Sequence, residues 1–183
     1  MSIANTRAGY GAAAIALHWI SAVGVIALYL LGERLEEAEG RVAKLAAFTN
    51  HVSVGVLLLA FLAARLLWSA SQPKPAPLER NRPLRLLASV VQTAFLLFIA
   101  VQIISGPLVI WANARPLPVF DWFAIPSPFP VKVEWLHEAA ETVHKLTANL
   151  LWPLLGLHVL GALKHLVIDR DGVLRRMLVP VRS

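Results

Sequence analysis

The chain contains six histidines, at His18, His51, His137, His144, His158 and His165, and no cysteine. Without thiols, disulfides, iron–sulfur clusters, zinc–thiolate sites and covalently attached c-type haem are excluded, so metal chemistry would rest on imidazole, carboxylate or methionine. His144 and His158 stand 14 residues apart, and from Leu146 to Leu163 the intervening stretch holds no Asp, Glu, Lys or Arg. At about 100° per residue that spacing is almost four whole turns of helix, so both rings leave on nearly the same face. They lie about 21 Å apart along the axis, inside a hydrocarbon core about 30 Å thick. Ionisable groups at such depth are costly and usually functional. The spacing therefore reads as ligands for two cofactors stacked across a membrane.

Four stretches without formal charge could position such residues: Gly11–Gly32, Leu45–Ala64, Leu86–Ala114 and Leu146–Leu163. Each is near the length needed to span as a helix, and in lipid a spanning segment must satisfy its own backbone. The third is the longest and either tilts or ends near the Gly106–Pro107 pair. The first is long for a signal peptide and carries His18, so it reads as retained. The composition agrees: 57% of residues are hydrophobic, 15% are charged and the mean hydropathy is +0.64, against about 25% charged in soluble domains. The sequence thus predicts an all-α transmembrane four-helix bundle, one integral-membrane domain over residues 1–183.

Charge orients the bundle. With both termini on the inner side, that side holds eleven Lys and Arg and the outer side six, which places both termini in the cytoplasm. Eight of the eleven acids fall in the outer loops. The net charge of +6 then faces anionic lipid headgroups of the bilayer, with no nucleic-acid partner expected. The outer loop from Arg115 to Val133, rich in Pro and aromatics, is expected in the interface, and Trp68 and Trp111 as belt residues. The basic tail RDGVLRRMLVPVRS is expected along the inner surface.

In this orientation His18 and His158 fall in the inner half and His51 and His144 in the outer half. Each depth-matched pair comes from two different helices, as ligands in a bundle core do. Two-histidine sites without carboxylates are poor cages for zinc, which usually takes three or four protein ligands. Haem brings four nitrogens of its own and needs only axial ligands. Two bis-histidine b haems therefore fit best, with His18, His51, His144 and His158 as metal ligands. Gly55, Gly161 and Ala162 supply small side chains on the ligand faces. With both axial positions filled, electron transfer is favoured over oxygen activation. The bland alternative is that each ring is a hydrogen-bonded packing residue. Arg65, 14 residues after His51, pairs with propionates of the inner haem or reaches for headgroups. His137 reads as a solvated histidine, with a proton or substrate role as the sharper alternative. His165 is either an interfacial partner of Lys164 facing headgroups or a quinone carbonyl donor.

The segments ALHW around His18, NHVSVG with RLLW around His51, VHKLTANLLWPLLGLH over the last span and ALKH with RDGVLRRML at the end resemble the bacterial cytochrome b561 family. The resemblance implies four transmembrane helices and two non-covalent b haems in the inner membrane, with His18, His51, His144 and His158 as axial ligands. It also implies electron transfer coupled to the quinone pool, with ubiquinone as an associated cofactor. Some members of that family oxidise superoxide on the periplasmic side and reduce ubiquinone. Capture of a small anion calls for a positive funnel, yet the outer loops hold six basic and eight acidic residues. Lys44, Lys132 and Lys145 are the candidates for a local positive patch. The alternative function is a haem-bearing membrane anchor that takes electrons from a redox partner, a soluble dehydrogenase or cytochrome c.

Overall fold

The structure is a computed structural model and describes residues 1–181. The last two residues of the basic tail, Arg182 and Ser183, lie outside the described residues. Four long helices dominate: α1 Ala12–Glu37, α2 Arg41–Ser71, α3 Arg82–Trp111 and α4 Glu134–Lys164. All four are long and apolar enough to cross a membrane. At about 1.5 Å per residue the shortest, of 26 residues, already exceeds a 30 Å hydrocarbon core. The chain is a transmembrane four-helix bundle, as its charge-free runs predict.

The helices overrun those runs. Helix α4 begins at Glu134, so His144 lies almost three turns inside it, not at its start. Absence of charge marks the lipid-embedded part of a helix, whereas its solvated ends keep Glu, Lys and Arg. Helix α3 does not stop at Gly106–Pro107 but continues through Pro107 to Trp111. Pro153 likewise sits inside α4. A membrane helix tolerates such a proline because neighbouring groups re-satisfy the freed carbonyl. The α1–α2 turn is only Ala38 to Gly40, and Gly40 takes φ 76° to make it, a conformation costly for any residue with a Cβ.

Helix α1 packs on α2 and α3 on α4, with a looser contact between α2 and α3. Between the two helical hairpins runs a cavity of about 2080 Å³, roughly twice the upper size of a pocket for one drug-sized ligand. Each end of the bundle is closed by non-helical chain. At one end the α3–α4 loop folds into a hairpin of β1 Leu117–Val119 and β2 Phe123–Ile125. It does not simply lie in the interface: Leu117 and Val119 are buried, and Leu117 joins Val52 and Ile110 in a core cluster. Ser53 on α2 holds the hairpin by accepting from the Phe120 N–H at 2.6 Å.

At the other end the two termini meet. Ser2 N–H donates to Val181 O and Val181 N–H to Tyr10 O, both at 2.9 Å. Arg176 donates to Ala76 O in the α2–α3 loop at 2.7 Å, and Trp19 Nε1 donates to Met177 O at 2.8 Å. The tail, with its short helix α5 Val173–Arg176, is therefore folded across the bundle end and does not lie apart along a surface. Trp68 and Trp111 also differ from the belt expected of them. Trp68 lines the cavity and Trp111 packs against the core cluster under the hairpin.

Candidate functional site

The cavity is lined by His18 from α1, His51 and Arg65 from α2, and His144 and His158 from α4. The rings meet in two pairs. His18 and His158 have centroids 6.2 Å apart near the terminal end. His51 and His144 have centroids 6.3 Å apart near the hairpin end. Four rings on three helices come together because α4 repeats its histidine after almost four turns, while α1 and α2 run antiparallel and each bring one to a different depth.

The separations test what the rings could hold. Two imidazoles facing each other across one metal ion, each about 2.0–2.1 Å from it and with a ring centre about 1.1 Å behind the nitrogen, would have centroids about 6.2–6.4 Å apart. Both pairs meet that value. Direct hydrogen bonding between two rings would bring them closer, and packing alone does not require the same gap twice. The ring surroundings agree. A Cβ at Gly32 on α1 would stand 3.5 Å from His51 Cε1 and 3.7 Å from its Nδ1; one at Gly106 on α3 would stand 3.3 Å from His144 Cε1 and 3.7 Å from its Nδ1. In both residues the Cε1–Nδ1 edge lies against a neighbouring helix, and Nδ1 of His51 is buried there without a hydrogen-bond partner. Of the small residues singled out in the sequence, Gly55 and Ala162 line the cavity and Gly161 does not. Gly32 and Gly106 carry no such mark in the sequence, because each lies on a different helix from the histidine it serves.

Arg65 is drawn into the terminal-end pair. Its Nη2 donates to His18 Nδ1 at 3.1 Å. Its Nε, and Nε1 of Trp68 one turn further on, are buried donors with no hydrogen-bond partner. Both side chains line the cavity, so two unsatisfied donors stand beside the pair, as an acid group on a bound cofactor would require. Arg65 therefore does not reach out for headgroups.

Helix α3 carries no histidine, yet it holds His144. Ser105 Oγ lies 3.0 Å from His144 Nδ1. Gln102, one turn earlier, donates to His144 O at 3.0 Å and to Thr147 Oγ1 at 2.9 Å. These residues were invisible as site residues in the sequence, since Ser and Gln in an apolar helix have many uses.

His137 lies outside the cavity, and His165 lines it beyond the ring pairs. His137 is not the solvated residue expected of it: its Nδ1–H donates to Val109 O at 2.8 Å, and Asn113 Nδ2 donates to its Nε2 at 3.2 Å. It ties the start of α4 to the end of α3. His165 begins a π-helical turn, His165–Asp169, that ends the fourth span. Its Nδ1 lies 2.7 Å from Asp171 Oδ2 and 3.0 Å from Asp169 Oδ2. Lys164 Nζ bridges Glu79 at 2.7 Å and Asp169 at 2.6 Å. Both residues thus meet carboxylates of their own chain rather than headgroups. Glu79, His165 and Asp169 are close enough for a metal site, but the Lys164 ammonium already supplies the positive charge there. Its hydrogen bond holds the Glu79 carboxyl below the usual carboxylate range. At Asp171 burial pushes upward, but hydrogen bonds from Val173 N–H and His165 outweigh it and lower the carboxyl.

Of the three lysines considered for a positive patch at the hairpin end, Lys44 lines the cavity and the other two are paired. Lys132 pairs with Glu134 at 2.7 Å, and Lys145 pairs with both Glu36 and Glu141 at 3.1 Å.

Comparison with known proteins gives a consistent picture. The family profile described as prokaryotic cytochrome b561 matches residues 9–180. Cytochrome b561 homolog 2 of Escherichia coli (strain K12) is 35% identical over 182 residues, 97% of this chain and 95% of that protein. The probable superoxide oxidase CybB of Yersinia pestis is 30% identical over 138 residues, 73% of this chain and 75% of that protein. The chain belongs to the prokaryotic cytochrome b561 family, membrane haem proteins that transfer electrons and generally bind two b haems.

Proposed function

We propose that this chain carries electrons in the bacterial inner membrane between a periplasmic or membrane donor and the quinone pool, with both termini cytoplasmic. The observation that supports it most is the pair of ring separations, 6.2 and 6.3 Å, each the span of two imidazoles sharing one ion. In this reading His18 and His158 hold one b haem in the inner half, and His51 and His144 hold the other in the outer half. Each bound haem supplies a one-electron couple. The protein's part is to fix the rings, exclude water and set the potential of each site.

The residues around the rings have separate tasks. Gly106 gives the edge of His144 room against α3, where a Cβ would stand 3.3 Å from Cε1. Arg65 and Trp68 offer buried donors to haem propionates. Ligation through Nε2 of His18 requires a proton on Nδ1, and a guanidinium cannot accept from it. With the haem bound, Arg65 would be free to donate to a propionate instead. His165, held by Asp171 and Asp169, lines the inner end of the cavity and is the candidate proton donor to a quinone carbonyl.

The quinone reading is tested by stopped-flow oxidation and reduction of the purified haems with ubiquinol and ubiquinone. A dithionite-reduced spectrum without b-type bands would end the proposal as a whole. Superoxide is the second donor to test, because a relative bears the name of a probable superoxide oxidase and Arg41, Lys44 and Arg115 line the outer mouth. Against it stand the ion pairs that neutralise Lys132 and Lys145. Copurification with a dehydrogenase or cytochrome c, and no reaction with superoxide or quinol alone, would favour the membrane-anchor role instead.

A further inference from the structure

We infer that Ser105 is the positioning residue for His144: its hydroxyl fixes the imidazole proton on Nδ1, presents Nε2 to the cavity and lowers the midpoint potential of the outer site. The inference rests on the reading of His144 as an axial ligand. A serine inside an apolar helix commonly turns its hydroxyl back to its own preceding turn. Ser105 instead reaches across to another helix, 3.0 Å from His144 Nδ1, and it is only 4% exposed.

The contact is braced from both sides. Gln102 ties α3 to the backbone of His144 and to Thr147, and Thr147 donates to Val143 O at 2.7 Å. These bonds hold the two helices at the depth where Ser105 and His144 meet. Gly106, the next residue, leaves the ring edge room to lie against α3. With Nδ1 bonded to the hydroxyl, only Nε2 is free to ligate, and ligation needs its lone pair. The proton is then on Nδ1, and Ser105 accepts from it. An acceptor on the far nitrogen of a ligating histidine raises the basicity of the ligand, which favours the oxidised metal.

The terminal-end pair is built differently. Beside His18 Nδ1 stands the Arg65 guanidinium, a donor that offers no acceptor, and His158 has the Phe95 ring against it at a centroid distance of 5.4 Å. Ser105 therefore acts on one site and not on both.

The test is a redox titration of the purified full-length protein and its Ser105→Ala and Ser105→Thr variants, with haem content measured alongside. Ser105→Ala should keep two haems and raise the midpoint of one component by about 59 mV, a tenfold change in a one-electron equilibrium. The other component should stay where it is. Ser105→Thr, which restores a hydroxyl, should return the shifted component toward its original value. Ser105→Cys, a weaker acceptor of nearly the same shape, should shift the same component part of the way and serves if Ser105→Ala does not fold. Unchanged midpoints in Ser105→Ala, or in Ser105→Cys where that variant stands in, would overturn the assignment. So would an equal shift of both components, or a Thr variant that behaves as Ala. A wild-type protein without haem would instead defeat the reading of the histidine pairs.

Discussion

Gly106→Ala perturbs the outer site through shape alone. A Cβ at this position would stand 3.3 Å from His144 Cε1, inside the 3.5–4.0 Å at which carbon atoms attract. Relief requires the ring to withdraw by roughly 0.2–0.5 Å. Metal–ligand distances hold to about 0.2 Å, so the withdrawal reaches or exceeds what ligation tolerates. Loss of supporting geometry around a ligand typically weakens binding about 10–100-fold, or about 1.4–2.8 kcal/mol. Backbone strain acts in the same direction, because the residue before Pro107 is disfavoured in helical conformation once it has a Cβ. Gly32→Ala is the matched control: its Cβ would meet His51 Cε1 at 3.5 Å, an ordinary contact. Replacing a mid-helix glycine there should add about 0.5–1 kcal/mol of stability with both haems retained. The assay is haem per chain by pyridine haemochromogen, with a redox titration to show which component is lost. Gly106→Ala should lose one component and keep the other. If it retains two haems with unaltered midpoints, His144 is not confined by α3 and the steric reasoning is wrong.

Ser53→Ala should destabilise the fold by about 1–3 kcal/mol, because the Phe120 N–H that bonds Ser53 Oγ at 2.6 Å would be left buried without an acceptor; thermal unfolding in detergent measures it. His18→Ala should abolish one haem component and His51→Ala the other, read from the same titration; loss of both together in either variant, with the fold intact, would contradict two separate sites. Arg65→Leu should lower the midpoint of the inner component, since a cation beside a metal favours the reduced state, and an unmoved midpoint would dismiss Arg65 from that site. Glu79 and Asp171 both have carboxyls held below their ordinary values of 4.5 and 3.8. Their contribution to stability is therefore present above those values and lost as the pH falls below them. Lys164→Met should flatten the part of this acid dependence that Glu79 contributes, as followed by the unfolding temperature between pH 6 and pH 3.

Much of this architecture was open to a reader of the bare chain. Runs without charge must be helical in lipid, so the four spans followed from composition. Two histidines 14 residues apart must share a face of one helix, and counting depth from the span ends was enough to match His18 with His158 and His51 with His144. Each of these rests on a repeat along a single element. Contacts between elements leave no such mark in the chain. His137 looked solvated because nothing nearby in the chain announces that Val109 and Asn113 will meet it. At Lys145 the i,i+4 partner Glu141 is visible in the sequence, but Glu36, on another helix, is not. Trp68 and Trp111 sit near span ends, as belt residues do, and only helix rotation decides whether such a ring faces lipid or protein.

The amino-acid order by itself determined that this is a membrane bundle with imidazoles at two depths, because hydrophobic length and helical period are local properties. Only the tertiary structure decided that the rings stop about 6 Å apart, that Gly106 makes room for one of them, and that Ser105 and Arg65 treat the two pairs unequally. Those outcomes depend on how far apart and at what rotation separate helices pack, and no spacing along one strand of sequence encodes that.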